Sequence, residues 1–304
     1  MRRNMFFLCV CALLAGLQTA NAERYTAQLL DAGNRQPVAY ANIGVLGADI
    51  GINSDSAGYF GLELGAAEQD KYLVVSMIGY EEYKVKVSEF TAGLSRNDHK
   101  VYLKKKGNIL QEVVIRPAKL TVARLGNDVV CDTVRTKDNK GQGSVPFPFL
   151  FQRKKKGTVQ VPDTLTEIGT LMKVKRRKTF IDSVQINIGY CTHEKILYRL
   201  NIYEEVKDRF ENILQEPIYI MLNREQVGRS IRVDLTGRNL VVHNNFIVSL
   251  EKVKDLGPGE MSICGKLFGA AMYMRIASHH ERFIKLPVIG MGLMAYVTFS
   301  EEEK

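Results

Sequence analysis

Ser54-Asp55-Ser56-Ala57-Gly58-Tyr59-Phe60, followed by Val75-Ser76-Met77-Ile78-Gly79-Tyr80, is the stretch on which the fold turns. An aspartate can fold its carboxylate back onto backbone N–H groups two residues on, and a glycine tolerates the positive φ of a tight turn. Asp55-x-x-Gly58 is therefore read as a turn. Tyr59 then opens a strand in which Phe60, Leu62 and Leu64 share one face and Gly61 and Glu63 the other, the pattern of a half-buried strand. Val75 to Tyr80 reads as a buried strand ending at a Gly-aromatic pair. Neither segment sets up a residue for chemistry; together they describe a scaffold.

The same alternation extends in both directions. Residues 25–30, 39–46, 59–64, 72–78, 83–87 and 100–103 are rich in β-branched or aromatic residues, and residues 31–37, 47–58, 65–70 and 91–98 break them. No helix is expected here. About 80 residues of short strands suit one small β-sandwich.

Several stretches of this module, Ala27-x-Leu29-x-Asp31, Gln36-Pro37-Val38-x-x-Ala41-x-Ile43, residues 51–60 and residues 73–80, resemble the carboxypeptidase regulatory-like domain. That resemblance implies a transthyretin-like sandwich of seven strands, a module that precedes many TonB-dependent outer-membrane receptors and also occurs in smaller exported proteins. Ser54 stands where the family has Thr, and its Gly-Thr pairs are reduced to Gly47-Ala48 and Gly51-Ile52. Leu110-Gln111-Glu112-Val113-Val114-Ile115 resembles the segment that leads into the plug and barrel of those receptors. Only about 190 residues follow Ile115, too few for a receptor barrel, and the acidic end at Glu301-Glu302-Glu303 does not suit a barrel strand. The chain is not expected to be the receptor itself.

The N-terminus carries its own signal. Arg2 and Arg3, an apolar run over residues 5–17 and Ala20-Asn21-Ala22 read as a secretory signal peptide over residues 1–22. The apolar run is short of the ~20 residues that span a bilayer. Over the whole chain 42 basic residues face 33 acidic ones, a net charge of +9. Outside the signal, Cys131, Cys191 and Cys264 allow at most one disulfide and lack the paired spacing of a zinc site. Which two of them pair is open.

The domain organisation reads as signal peptide 1–22, regulatory-like domain 23–115, linker 116–161 and a C-terminal β-sandwich 162–304. The linker assignment rests on polar, Gly-rich residues 137–144, the Pro-Phe segment 146–151 and the cations of residues 153–156. Strand patterns return at residues 181–188, 195–203, 218–222, 231–235, 246–250, 271–276 and 293–299. They predict an all-β second unit, larger than the first and of the class that includes jelly rolls. Residues 204–214 are expected to form a helix, with Val206, Phe210, Ile213 and Leu214 on one face. Arg199-Leu200-Asn201-Ile202-Tyr203, Glu216-Pro217-Ile218 and Phe246-x-Val248-x-Leu250-Glu251 also resemble a domain that follows the regulatory-like module in exported bacterial proteins of no assigned activity.

No catalytic, cofactor-binding or metal residues are assigned. His99, His193, His243, His279 and His280 form neither His-x-x-Glu nor His-Glu-x-x-His, so a zinc peptidase is excluded. Cys191-Thr192-His193 lacks an orienting acid, and Gly141-Gln142-Gly143-Ser144 is no nucleophile elbow. The chain is expected to be a non-enzymatic envelope protein, exported to the periplasm or outer membrane, that contacts a protein or a glycan. An anionic outer-membrane surface would meet the cationic runs 153–156 and 173–178, and nucleic acid is not expected. The alternative is a secreted glycan-active hydrolase with a carboxylate pair drawn from Asp182, Glu194, Asp234 and Glu251. Partner identity and oligomeric state are not legible.

Overall fold

The structure, a computed structural model, describes residues 22–94, 96, 98–107, 116, 119–129, 144–147, 166–207, 209–226, 230–259, 261–276 and 282–300. The Asp55 turn forms: Asp55 Oδ1 accepts hydrogen bonds from the N–H groups of Ala57 and Tyr59, each at 2.8 Å. Gly58 has φ +80°, and a Cβ there would stand 2.5 Å from the Leu29 carbonyl oxygen. The buried Ser54 hydroxyl donates to the Val38 carbonyl at 2.8 Å and accepts from the Ala41 N–H at 2.9 Å, pinning the turn to the preceding strand connection.

Seven strands build the first unit: β1 Glu23–Asp31, β2 Asn42–Val45, β3 Gly51–Asn53, β4 Tyr59–Leu64, β5 Tyr72–Ser76, β6 Tyr83–Lys86 and β7 Lys100–Leu103. They form a three-stranded sheet, β4-β1-β7, and a four-stranded sheet, β3-β2-β5-β6. Leu29, Ile43, Phe60, Leu62, Leu64, Leu73 and Val75 fill the core between them. Two elements differ from expectation. Strand β3 lies inside a stretch read as a break, and α1 (Val87–Leu94) replaces a strand end and a loop. Val87, Phe90 and Leu94 recur at helical spacing and are buried, so α1 closes the sandwich with one apolar face.

The second unit is a larger sandwich. One sheet has the path β13-β12-β17-β10-β19-β20, with β14 on β12. Its strands are β10 Thr166–Met172, β12 Ile196–Val206, β13 Arg209–Asn212, β14 Ile218–Leu222, β17 Phe246–Asp255, β19 Met272–Ile276 and β20 Ile284–Leu286. The facing sheet runs β21-β18-β11-β22-β8, with β15 and β16 on β11 and β9 on β18. Those strands are β8 Thr121–Gly126, β9 Ser144–Phe147, β11 Thr179–Cys191, β15 Ser230–Asp234, β16 Val241–Val242, β18 Met261–Leu267, β21 Ile289–Met291 and β22 Leu293–Phe299. Ile181, Val184, Ile186, Leu200, Ile202, Phe246, Val248, Leu250, Leu293 and Val297 form the core between the sheets. The chain is all-β, as its alternation predicts.

The helix expected over residues 204–214 does not form. Residues 204–206 continue β12, and β13 returns alongside it, Val206 opposite Arg209 and Tyr203 opposite Asn212. Lys207, with φ +48°, sits at the turn. The i, i+4 spacing of Val206 and Phe210 imitates a helix. The pairing of β12 with β17, extending to Glu204 opposite Phe246, decides for strand, a tertiary contact overriding local pattern. Residues 116–161, read as linker, also contribute β8 and β9, which pair with β22 and β18 of the second unit. The cations at 153–156 and most of the Pro-Phe segment lie outside the described residues, as do residues 1–21.

Candidate functional site

Arg199, Asn201 and Tyr203 alternate along β12 with Tyr198, Leu200 and Ile202. The apolar set enters the core between the sheets. By the period of a strand the polar set points the other way, yet Arg199 and Asn201 are each only 1% exposed. The first unit covers that face. Arg199 Nη1 donates to the Tyr40 carbonyl at 2.8 Å and Nη2 to Asn42 Oδ1 at 2.7 Å. The Tyr40 and Tyr219 rings meet edge to face at 5.5 Å. Ile78 packs against the core of the second unit, and a Cβ on Gly79 would stand 2.6 Å from the Gln215 carbonyl oxygen. The Ile78-Gly79-Tyr80 segment is thus the contact between the two sandwiches.

Strand register lines up a row of four charges beneath this contact. Arg199 lies opposite Glu251, Glu251 opposite Glu167, and Glu167 opposite Arg275, across β12, β17, β10 and β19. Two carboxylates side by side repel, and an arginine at each end offsets them. Arg199 donates from Nε at 3.0 Å and Nη2 at 2.8 Å to the same oxygen, Oε2 of Glu251. Asn201 Nδ2 donates to that oxygen at 2.9 Å and to Glu167 Oε1 at 2.8 Å, joining the two halves. Glu167 Oε1 also accepts from Ser249 Oγ at 2.5 Å, and Oε2 accepts from Arg275 and, at 3.3 Å, from the Tyr203 hydroxyl. Gly169, beside Ser249 in the next row, has no room for a Cβ, which would meet Ser249 Cβ at 2.7 Å.

The electrostatics follow from burial and pairing. Burial opposes ionisation of Glu167, but the Arg275 charge and the hydrogen bonds from Ser249, Arg275 and Asn201 outweigh it and hold the carboxyl below its usual range. Burial likewise opposes the charge on Arg199 and Arg275, and the facing carboxylates Glu251 and Glu167 prevail, holding both guanidiniums more firmly protonated than usual. Burial pushes the Tyr203 hydroxyl up, so it serves as a neutral donor and acceptor. Glu251 Oε1 is buried and has no hydrogen-bond partner among the described residues.

A cavity of about 300 Å³ lies between the units, lined on one side by Arg199, Asn201, Tyr203, Glu251 and Arg275 and on the other by Val74, Ser76, Met77, Gly79 and Tyr80. A second, more open cleft of about 470 Å³ gathers Lys175, Arg176, Arg177, Lys207 and His243. The cationic run 173–178 thus forms one wall of a basic surface at the turn between β10 and β11.

Of the four carboxylates considered from sequence, only Glu251 reaches the interdomain row. Asp182 pairs with Arg116 at 2.7 Å, Glu194 is exposed, and Asp234 caps the turn at Thr236. Glu167 was not among them; its signal is a lone acid in an apolar strand, Ile168-Gly169-Thr170-Leu171-Met172 following it. His193 is buried, its Nδ1 3.0 Å from the Gly257 carbonyl, and His99 Nδ1 lies 3.1 Å from the Thr26 carbonyl. His279 and His280 lie outside the described residues. Cys191 is a free, buried thiol whose pKa burial pushes up, whereas Cys264 is disulfide-bonded; Cys131 lies outside the described residues. Among the described residues no three His, Cys, Asp or Glu side chains are grouped to hold a metal, and no helix is long and apolar enough to cross a membrane.

No curated protein matches the chain. Among solved structures, the cysteine protease and lectin-like domains of Cwp84, a surface layer associated protein of Clostridium difficile, align at 10% identity and a TM-score of 0.33, covering 45% of this chain and 32% of that one. The infectious bursal disease virus Gx strain structure aligns at 8% identity and a TM-score of 0.22, covering 91% of this chain and 63% of the other. The chain therefore spans less than two thirds of either, and at these scores neither bears on fold or function. The comparison that does is with families: residues 26–115 match the CarboxypepD_reg-like domain, so the first sandwich, with its Asp55 turn and Gly79-Tyr80 contact, is a domain of that family.

Proposed function

We propose that this chain is a non-enzymatic protein of the bacterial cell envelope, exported to the periplasm or outer membrane, whose joined sandwiches contact protein or glycan partners. The observation that carries this reading is the compensation of the buried row. Retaining glycoside hydrolysis needs two carboxyls ~5 Å apart, one of them kept protonated as the acid. Glu167 and Glu251 are neighbours, but each faces an arginine, and Glu167 is held ionised by Arg275 and its hydrogen bonds. That arrangement suits holding two domains and a polar surface in one geometry better than moving protons. The disulfide at Cys264 supports an oxidising compartment, and the cleft of Lys175, Arg176, Arg177 and Lys207 supports attraction to an anionic outer-membrane surface.

The test is binding with turnover scored in parallel. The exported protein is applied to a glycan array and to envelope extracts, and every glycan retained is incubated with the protein and analysed for new reducing ends. Capture without cleavage is the expected result. Cleavage that disappears in both Glu167→Gln and Glu251→Gln would instead establish the glycan-active hydrolase, with those two carboxylates as its pair.

A further inference from the structure

The interdomain cavity is a built site with one unmet demand. Oε2 of Glu251 takes every donor near it, two from Arg199 and one from Asn201. Oε1 of the same buried carboxylate has no partner among the described residues, a costly condition for an ionisable group away from water. Its neighbours are already committed. Arg199 Nη1 is turned to Tyr40, and Asn201 Nδ2 is shared between the two glutamates. A donor for Oε1 must come from an occupant of the cavity, whose volume of about 300 Å³ is at the lower end of those that hold small ligands.

The surroundings narrow the chemistry of that occupant. Arg199 and Arg275 balance Glu251 and Glu167, and Lys106 and Glu82, which also line the cavity, add one charge of each sign. No net charge is left for an ion to neutralise, so a neutral donor is favoured. Val74, Met77, Ile78 and Leu214 present an apolar wall, while the row beneath is polar. A molecule with hydroxyls on one face and C–H groups on the other meets both walls. We propose that this cavity binds a neutral saccharide, one of whose hydroxyls donates to Glu251 Oε1. The proposal rests on the glycan side of the function proposed above and assigns it a place.

Ser76 offers a test that leaves the charged row intact. It alternates with the core residues Leu73 and Val75 along β5, and with Val74 lines the cavity. Ser76→Phe should fill the space. Wild-type protein, Ser76→Phe and Glu251→Gln are titrated calorimetrically with glucose, galactose, mannose, N-acetylglucosamine and lactose, with melting temperatures measured alongside. At least one sugar is expected to bind the wild type, and both substitutions to weaken it roughly tenfold or more, Ser76→Phe without a fall in melting temperature. If Glu251→Gln does not fold, Ser76→Phe alone decides. Binding by none of the five overturns the proposal, as does binding that survives Ser76→Phe. Survival in Ser76→Phe would leave the glycan-contact reading standing with its site elsewhere. Absence of all sugar binding, with a protein captured from the envelope, would leave only the protein-contact reading.

Discussion

Gly58 and Asp31 show how single residues hold the first sandwich. Gly58 is constrained twice, by φ +80° and by the Leu29 carbonyl 2.5 Å from where a Cβ would sit, whereas Gly47 has φ +71° with open space around it. Gly58→Ala should therefore cost more than Gly47→Ala, about 1–3 kcal/mol against roughly 1 kcal/mol, in urea unfolding of the two variants. Equal costs would mean that the backbone angle alone matters. Asp31 accepts from the backbone N–H of Asn34, and its pKa falls from 3.8 to about 2 although burial works the other way; Tyr80, Gly33 and Lys105 add to the lowering. A carboxyl whose folded pKa is depressed stabilises the fold above its unfolded value and loses that contribution as pH falls through the folded one. Stability should drop between about pH 4 and pH 2, and Asp31→Asn should flatten that part of the profile; an unchanged acid limb would remove Asp31 from the account.

Among the elements, β12, β17, β10 and β19 matter for the charges they carry in register. Arg199 and Glu251 are both about 1% exposed, and a buried pair that loses one partner leaves an uncompensated charge. Arg199→Met should destabilise by about 3–5 kcal/mol, and adding Glu251→Leu should recover much of it. A denaturation cycle over the two singles and the double measures this; strictly additive losses would show that the pair is not coupled. The strands of this row were readable from alternation, as at 218–222 and 293–299, where observed and expected limits coincide. The row itself was not. Arg199, Asn201 and Tyr203 alternate with apolar residues, which in one strand denotes a solvent face; only the first sandwich, 120 residues away in sequence, turns it into an interior. The neighbouring hairpin escaped for a related reason, since the spacing of Val206 and Phe210 fits a helix until β17 is alongside. In contrast, the Asp55 turn is local, with donors, acceptor and glycine within five residues, and was legible for that reason.

Across the whole molecule, the question is whether the two sandwiches behave as one cooperative body. Their contact joins polar and apolar parts: Arg199 reaches Tyr40 and Asn42, and Ile78 packs on the second core while Met77 and Tyr80, on either side of the Ile78-Gly79 pair, pack on the first. Ile78→Asp therefore removes an interface contact without deleting a residue from the first core. Burying an isoleucine side chain contributes about 1.5–3 kcal/mol, and placing a carboxylate against the second core adds a desolvation cost. That is large beside the few contacts that couple the units, whereas each core keeps its own closed set of apolar residues. Scanning calorimetry should show one transition for the native protein and two for Ile78→Asp, the first sandwich melting apart from the second. Limited proteolysis of the variant should correspondingly release a fragment ending beyond Leu103, the last residue of β7. A single transition in Ile78→Asp at the native temperature would mean that Arg199 and its two acceptors suffice to couple the sandwiches. Arg199→Met would then be the substitution that separates them.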